Sequence, residues 1–250
     1  MYKQAIPLLG FALTLALASL ADAEPVTVRF PEGVTRAFPV LRSVDNEKLA
    51  QGDLSQVVRG DKVSSRLVFH FKDGSIYDES VVFSQRDVFT LLSYRIVQQG
   101  PSFPETLEAA VDRDTGRYQV RYRADDDSPE EVLTGKFALP DDAYNGMLSL
   151  IVKNLPARAE ETVSVVAFTP KPRVVKLLLQ PVAEERMLVS DSPMQATRYH
   201  IRPQLGLFAS LLVTDIPDLR MWILPGEAPA FLRAEGPLYF MGPVWRIEPY

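Results

Sequence analysis

The sequence predicts a mainly β protein: a strongly bent antiparallel sheet, half-barrel-like, with one packed α-helix. Three observations predict it. Short runs of alternating apolar and polar residues recur along the chain between turn residues, the pattern of antiparallel strands rather than of strand-and-helix repeats. An Asp-Gly pair, Asp73-Gly74, separates two of these runs as a hairpin turn does. A single segment, residues 140–154, carries its apolar residues at helical spacing instead.

In chain order, alternation predicts strands at Val26–Phe30, Leu54–Arg59, Val63–Phe71, Ile76–Gln85, Phe89–Gln98, Thr106–Asp112, Arg117–Arg123 and Glu131–Phe137. Beyond the helical segment the pattern resumes at Glu161–Thr169, Arg173–Gln180, Arg186–Ser190, Gln195–Arg202, Leu219–Leu224, Ala230–Glu235 and Val244–Glu248. Some of these pieces are short enough to be loops, so about ten to thirteen strands are expected.

At Lys72-Asp73-Gly74-Ser75, Asp-Gly tolerates the positive φ angles of a two-residue turn. That turn sets Phe71 opposite Ile76, His70 opposite Tyr77 and Phe69 opposite Asp78. One face then carries Leu67, Phe69, Phe71, Ile76 and Val82, the other Val68, His70, Tyr77, Val81 and Phe83. Neither face is polar, which predicts a sheet curved around its contents; a longer turn would undo this register. Asp112-Arg113-Asp114-Thr115-Gly116 reads as a second hairpin turn. For the helix, Pro140-Asp141 offers a start, Tyr144, Met147, Leu148 and Ile151 form one apolar stripe, and Asn154 with Pro156 ends it. Its length is about three turns, and its stripe must lie against the sheet.

The first residues carry an address. Lys3 precedes an apolar stretch from Ala5 to Leu20, broken only by Thr14 and Ser19, and Ala21-Asp22-Ala23 supplies small residues for cleavage. Residues 1–23 are therefore expected to be a signal peptide and 24–250 a single β-rich domain, exported and periplasmic or secreted. An anchor helix is the competing reading, but about 16 apolar residues fall short of the roughly 20 that span a bilayer, and Pro7 and Gly10 weaken it further. No transmembrane segment is expected in the mature chain. The 250 residues contain no Cys, which removes disulfides, thiolate chemistry and lipid attachment through cysteine. Lys plus Arg total 27 against 32 Asp plus Glu, and a net charge of -5 argues against a nucleic-acid partner.

Several strings carry a resemblance: FKDGSIYDESVVFSQRDVFTLLS at 71–93, QQGPSFP at 98–104, NGM at 145–147, TPKPRVVKL at 169–177 and GEAPAFLRAEGPLYFMGPVWRIE at 226–248. They resemble a family of exported bacterial proteins with no assigned function, which implies export and no catalytic residue. More distantly, the closing stretch is similar to half-barrel exported proteins of the lipoprotein-carrier type, which implies a bent sheet and helix holding an acyl chain.

The residues offer little chemistry. His70 and His200 are the only histidines, so a three-histidine zinc site is impossible, and neither a zinc-protease string nor a Gly-rich phosphate loop occurs. No metal and no cofactor are expected. The predicted hairpin puts His70 on a face with Arg66, Tyr77 and Glu79; a base built from His70 with Glu79 or Asp78 is a distant alternative to a plain sheet-face histidine. His200 shares a face with Arg198 and Arg202, as a solvated polar face or as a meeting point for an anion. Asp125-Asp126-Asp127 with Glu130 and Glu131 lacks the spaced oxygens of a calcium loop and reads as a solvated turn. Lys171, Arg173 and Lys176 read as a charged strand edge, with a lipid phosphate or carboxylate as the other reading.

The apolar run Leu205-Gly206-Leu207-Phe208-Ala209-Ser210-Leu211-Leu212-Val213 needs an apolar neighbour: it is a core element, or a lid over an apolar cavity. Residues 237–245 raise the same choice. The expected function is an exported, non-enzymatic protein that holds a hydrophobic ligand, with lipid as a candidate, in the concave side of its sheet. Tyr144, Met147, Phe208, Leu211 and Leu212 are the expected lining or gating residues. The alternative is a structural or interaction module that binds another envelope protein through an exposed sheet edge.

Overall fold

A computed structural model describes residues 24–125, 127–189, 192–204 and 217–249. Its elements are β1 (Thr35–Ala37), β2 (Val40–Ser43), β3 (Lys48–Arg59), β4 (Lys62–Phe71), β5 (Ile76–Gln85), β6 (Phe89–Gln99), β7 (Thr106–Asp112), β8 (Arg117–Arg123), β9 (Glu131–Lys136), α1 (Leu148–Asn154), β10 (Glu161–Thr169), β11 (Lys171–Val189), β12 (Ser192–Pro203), β13 (Leu219–Leu224), β14 (Ala230–Gly236) and β15 (Trp245–Glu248). The fold is mainly β, with one helix packed on one bent antiparallel sheet of 15 strands that does not close. Its order is β10-β11-β12-β13-β14-β15-β2-β3-β4-β5-β6-β7-β8-β9, with β1 alongside β3. Of the strands expected from alternation, β5, β7, β8, β10 and β13 begin and end where the pattern does. β1 and β2 were not foreseen, the segment Val26–Phe30 makes only a bridge between Thr27 and Val88, and the two runs 173–180 and 186–190 are one strand, β11, with an irregularity between Pro181 and Ala183.

The register of the β4–β5 hairpin differs from the expected one by one residue. Gly74 takes a φ of 88°, the Gly74 N–H donates to the Phe71 carbonyl, and the Phe71 N–H donates to the Ser75 carbonyl. The loop therefore holds three residues, a turn closed by a left-handed glycine, instead of two. Phe69 now faces Tyr77 and Val63 faces Phe83. A slip of one residue moves every side chain of a strand to the other face. Phe69, Phe71, Tyr77, Val81 and Phe83 are all buried, while Arg66, His70, Asp78 and Ser80 share the opposite, outward face. Val68, Ile76 and Val82 stand on that outward face among the polar groups, so the hairpin is apolar on its inner face and mixed on its outer one.

The sheet curls until strands far apart in its order touch. Tyr94 on β6 stacks on Phe168 of β10, ring centroids 6.2 Å apart and 7° from parallel. Phe71 of β4 meets Trp245 of β15 at 5.4 Å, and Phe103 and Tyr239 complete that aromatic cluster. Each such ring removes a large apolar area from water and adds edge-on or stacked contacts. Tyr144 and Met147 lie in the same core, 0% and 1% exposed.

The segment between β9 and β10 covers the open end of the sheet. Here the helix is two turns, not three, because residues 142–145 are engaged elsewhere. The Tyr144 N–H donates to Ser164 O and the Ser164 N–H donates to Asp142 O, at 2.9 Å each, so this stretch runs beside β10 as a parallel bridge. The Asn145 amide continues the pairing: its Nδ2 donates to Val166 O at 2.8 Å and its Oδ1 accepts from the Val166 N–H at 2.7 Å. Arg113 holds the other side by donating to the carbonyls of Leu91, Leu139 and Pro140. The N-terminal strap crosses the same end. Val28 N–H bonds Asp87 O, the N–H groups of Arg29 and Phe30 both reach Asn154 Oδ1, and Lys153 pairs with Glu32.

Asn145→Ala leaves the Val166 N–H and C=O without partners, and about 1–3 kcal/mol per unpaired buried group is expected to be lost. Urea unfolding measures it; an unchanged midpoint would mean that the Asn145 side chain does not hold this edge.

Candidate outward groove

Two of the cavities among the described residues open on the face away from the core. The larger, about 680 Å³, is lined by outward side chains of β5 to β9. Register explains how one groove arises from five strands. Ser80 pairs with Arg95, Arg95 with Ala110, Ala110 with Gln119 and Gln119 with Thr134, one continuous row across the sheet. Val82, Ser93 and Asp112 form the neighbouring row, which ends in the pair Arg117 and Lys136. Ser80, Ser93, Ala110 and Thr134 are short, so they sink a floor between the long side chains of Arg95, Arg117, Gln119 and Lys136. Behind that floor the Tyr118 ring occupies the space over Gly135, where an added Cβ would lie 2.7 Å from the ring.

The groove is positively charged in a chain of net charge -5. Arg95 is occupied, bonding Glu108 at 2.9 Å and lying 3.7 Å from Asp78. Asp112 bonds the Thr115 hydroxyl and N–H, which holds its carboxyl below the usual range. Arg117 and Lys136 face each other across β8 and β9 and make no ion pair among the described residues. The second cavity, about 430 Å³, is lined by Arg36, Asp53, Ser55, Arg66, Val68 and His70. Its charges are matched: Arg36 pairs with Asp53 at 3.2 Å, and Arg66 grips Asp78 through two bonds of 2.9 and 2.8 Å.

The residues singled out in the sequence fall in several places. His70 and Glu79 lie on opposite faces, so the base drawn from them does not assemble, and Asp78 is held by Arg66. Tyr144 receives the Val26 N–H on its hydroxyl at 2.8 Å, and burial pushes its phenol up to about 12. Phe208, Leu211 and Leu212, with the rest of 205–216, lie outside the described residues. His200 Nδ1 lies 2.8 Å from an Arg202 nitrogen; burial and the cations Arg202 and Arg198 lower its pKa. Lys176 is committed to the buried Asp142 at 2.7 Å, which leaves Lys171 and Arg173 exposed on the strand. Asp125 closes its own turn by accepting from Ser128. Sequence reasoning missed Arg117, Lys136 and the short residues between them; the signal was present in the alternation of 117–123 and 131–137, whose outward positions include both cations.

Comparison with models of known families, with characterised proteins and with solved structures finds no match. No helix among the described residues is long and apolar enough to cross a membrane.

The Glu79 carboxylate of β5 shares the inward face with Tyr77 and Val81. Glu79 accepts from the Tyr94 hydroxyl at 2.9 Å; desolvation pushes its carboxyl above 4.5, while hydrogen bonds from Tyr94 and Tyr77 oppose the rise. A carboxyl with a raised folded pKa stabilises the fold below its unfolded pKa, and that contribution is lost as pH rises through the folded value. Glu79→Gln keeps an acceptor for Tyr94 and is expected to raise the melting temperature at neutral pH. The gain should vanish in acid below the ordinary carboxylate range; a gain that persists there would assign it to packing.

Proposed function

We propose that the chain is an exported, non-enzymatic binding protein for a hydrophobic small molecule, and that the ligand lies in the outward groove of β5 to β9. The observation that carries this reading is the groove itself: its volume is within the range of about 300–1,000 Å³ typical of ligand sites. The concave side favoured from the sequence is a weaker host. Its aromatic rings pack on one another, and Tyr144 and Met147 fill its core.

One further observation favours an interaction module as the second reading. β11 and β12 pair out to Val189 and Ser192, whereas β10 leaves β11 after Leu179 and β13 meets β12 only from Thr197 onward. Among the described residues the strands therefore run on as a ribbon with two unpaired edges, and Leu188 is 74% exposed on it. Open edges accept an added strand from another envelope protein.

Native mass spectrometry of protein purified from an exporting host, followed by solvent extraction, tests the first reading. A stoichiometric apolar adduct is expected, and Ala110→Trp should remove it by filling the groove while moving stability by no more than about 0.5 kcal/mol, as surface changes do. Retention of the adduct by that variant would remove the groove from the reading. Under the second reading, size-exclusion instead shows a complex larger than one chain, no extractable molecule, and dissociation on Leu188→Asp.

A further inference from the structure

Resting on the groove as the ligand site, we infer that its ligand is a single-chain amphiphile with an anionic head, the head held between Arg117 and Lys136 and the apolar part lying along Val82 and Ala110. Three features of the groove converge on this chemistry.

The first is the pairing of like charges. Arg117 and Lys136 are direct partners in the β8–β9 register, and like charges directly opposite are destabilising. Another like pair on this sheet is relieved. Arg42 and Arg246 also oppose each other, but Glu248 takes Arg42 at 3.0 Å and Glu235 takes Arg246 at 3.0 Å. Arg59 and Lys62 oppose each other at the β3–β4 turn, outside both cavities.

The second is the position of the two cations. They stand at one end of the groove, beside the turn that follows β7, and the carboxylate nearest them along the row, Asp112, is engaged with Thr115. Arg95, further in, is neutralised by Glu108 and Asp78. Asp112 brings one negative charge against these two cations, so a net positive charge remains at that end of the groove.

The third is the floor. Val82 and Ala110 present apolar surface, and Ser80, Ser93 and Thr134 offer hydroxyls but no charge. A small inorganic anion would use the cations and leave the floor empty; an uncharged chain would use the floor and leave the cations unmatched. An amphiphile uses both, and a guanidinium beside an ammonium suits a carboxylate or a phosphate alike.

Isothermal titration of the exported protein with dodecanoate, dodecanol and acetate separates these. Dodecanoate is expected to bind about tenfold more tightly than dodecanol, the scale of two partly exposed ion pairs. The double variant R117Q/K136Q should bring dodecanoate to the level of dodecanol without lowering the melting temperature of the ligand-free protein, and added salt should narrow the same gap. Equal binding of dodecanoate and dodecanol overturns the anionic head and leaves the groove as a ligand site. Acetate binding as tightly as dodecanoate overturns the amphiphile in favour of a small anion. Failure of all three to bind overturns the inference together with the groove on which it rests.

Discussion

The constraint on which this structure depends is the unpaired edge of β10. An open sheet ends in two rows of free N–H and C=O groups, and here one of them runs beside the core, where an unpaired polar group costs about 1–3 kcal/mol. Residues 142–145 answer it with backbone from Asp142 and Tyr144 and with the Asn145 amide standing in for a peptide group. Asp142 itself is only 3% exposed, and it is tolerated because Ser164 and Lys176 both donate to it. This requirement shortens the helix, sets Tyr144 and Met147 in the core, and leads the chain across the end where the N-terminal strap is tied to Asn154 and Lys153.

With its edge and end covered, the inner face is committed to packing. Phe168 on Tyr94, and Trp245 among Phe71, Phe103 and Tyr239, join parts of the sheet that are remote in strand order. Core rings at such density tolerate little displacement. The outward face carries charge pairs instead: Arg66 with Asp78, Arg95 with Glu108, and Arg42 and Arg233 with Glu248. Trp222 is drawn into the same surface by its N–H bond to Glu185 and by Arg233 over its ring.

Most strands were legible because alternation is a local property, and a stretch such as Thr106–Asp112 shows it whatever its partners are. Register was not. Asp73-Gly74 satisfies a two-residue and a three-residue turn with the same residues, and the choice is made by Asp73 Oδ1 accepting from the Ser75 N–H and by Ser75 Oγ meeting the Ser102 N–H, a residue on another loop. β1 and β2 were hidden because Pro39 interrupts the pattern between them and because β2 pairs with β15, two hundred residues away in the chain. The groove was the least legible part, since Ser80, Ser93, Ala110 and Thr134 come together only when four successive registers are all known.

A plainer account of the unmatched cations is available, and the two residues do not fit it equally. β9 is an edge strand, and a lysine on an edge discourages another chain from pairing there. Lys136 satisfies that role without any ligand. Arg117 does not, because β8 is paired on both sides, with β7 and with β9, and presents no edge to protect. Edge protection would also favour an acidic residue opposite Lys136, which would keep the charge on the rim while relieving the repulsion. Arginine in that position adds to the repulsion and turns a second cation toward the same groove. Solubility accounts for Lys136, whereas an anion held between the two would account for both.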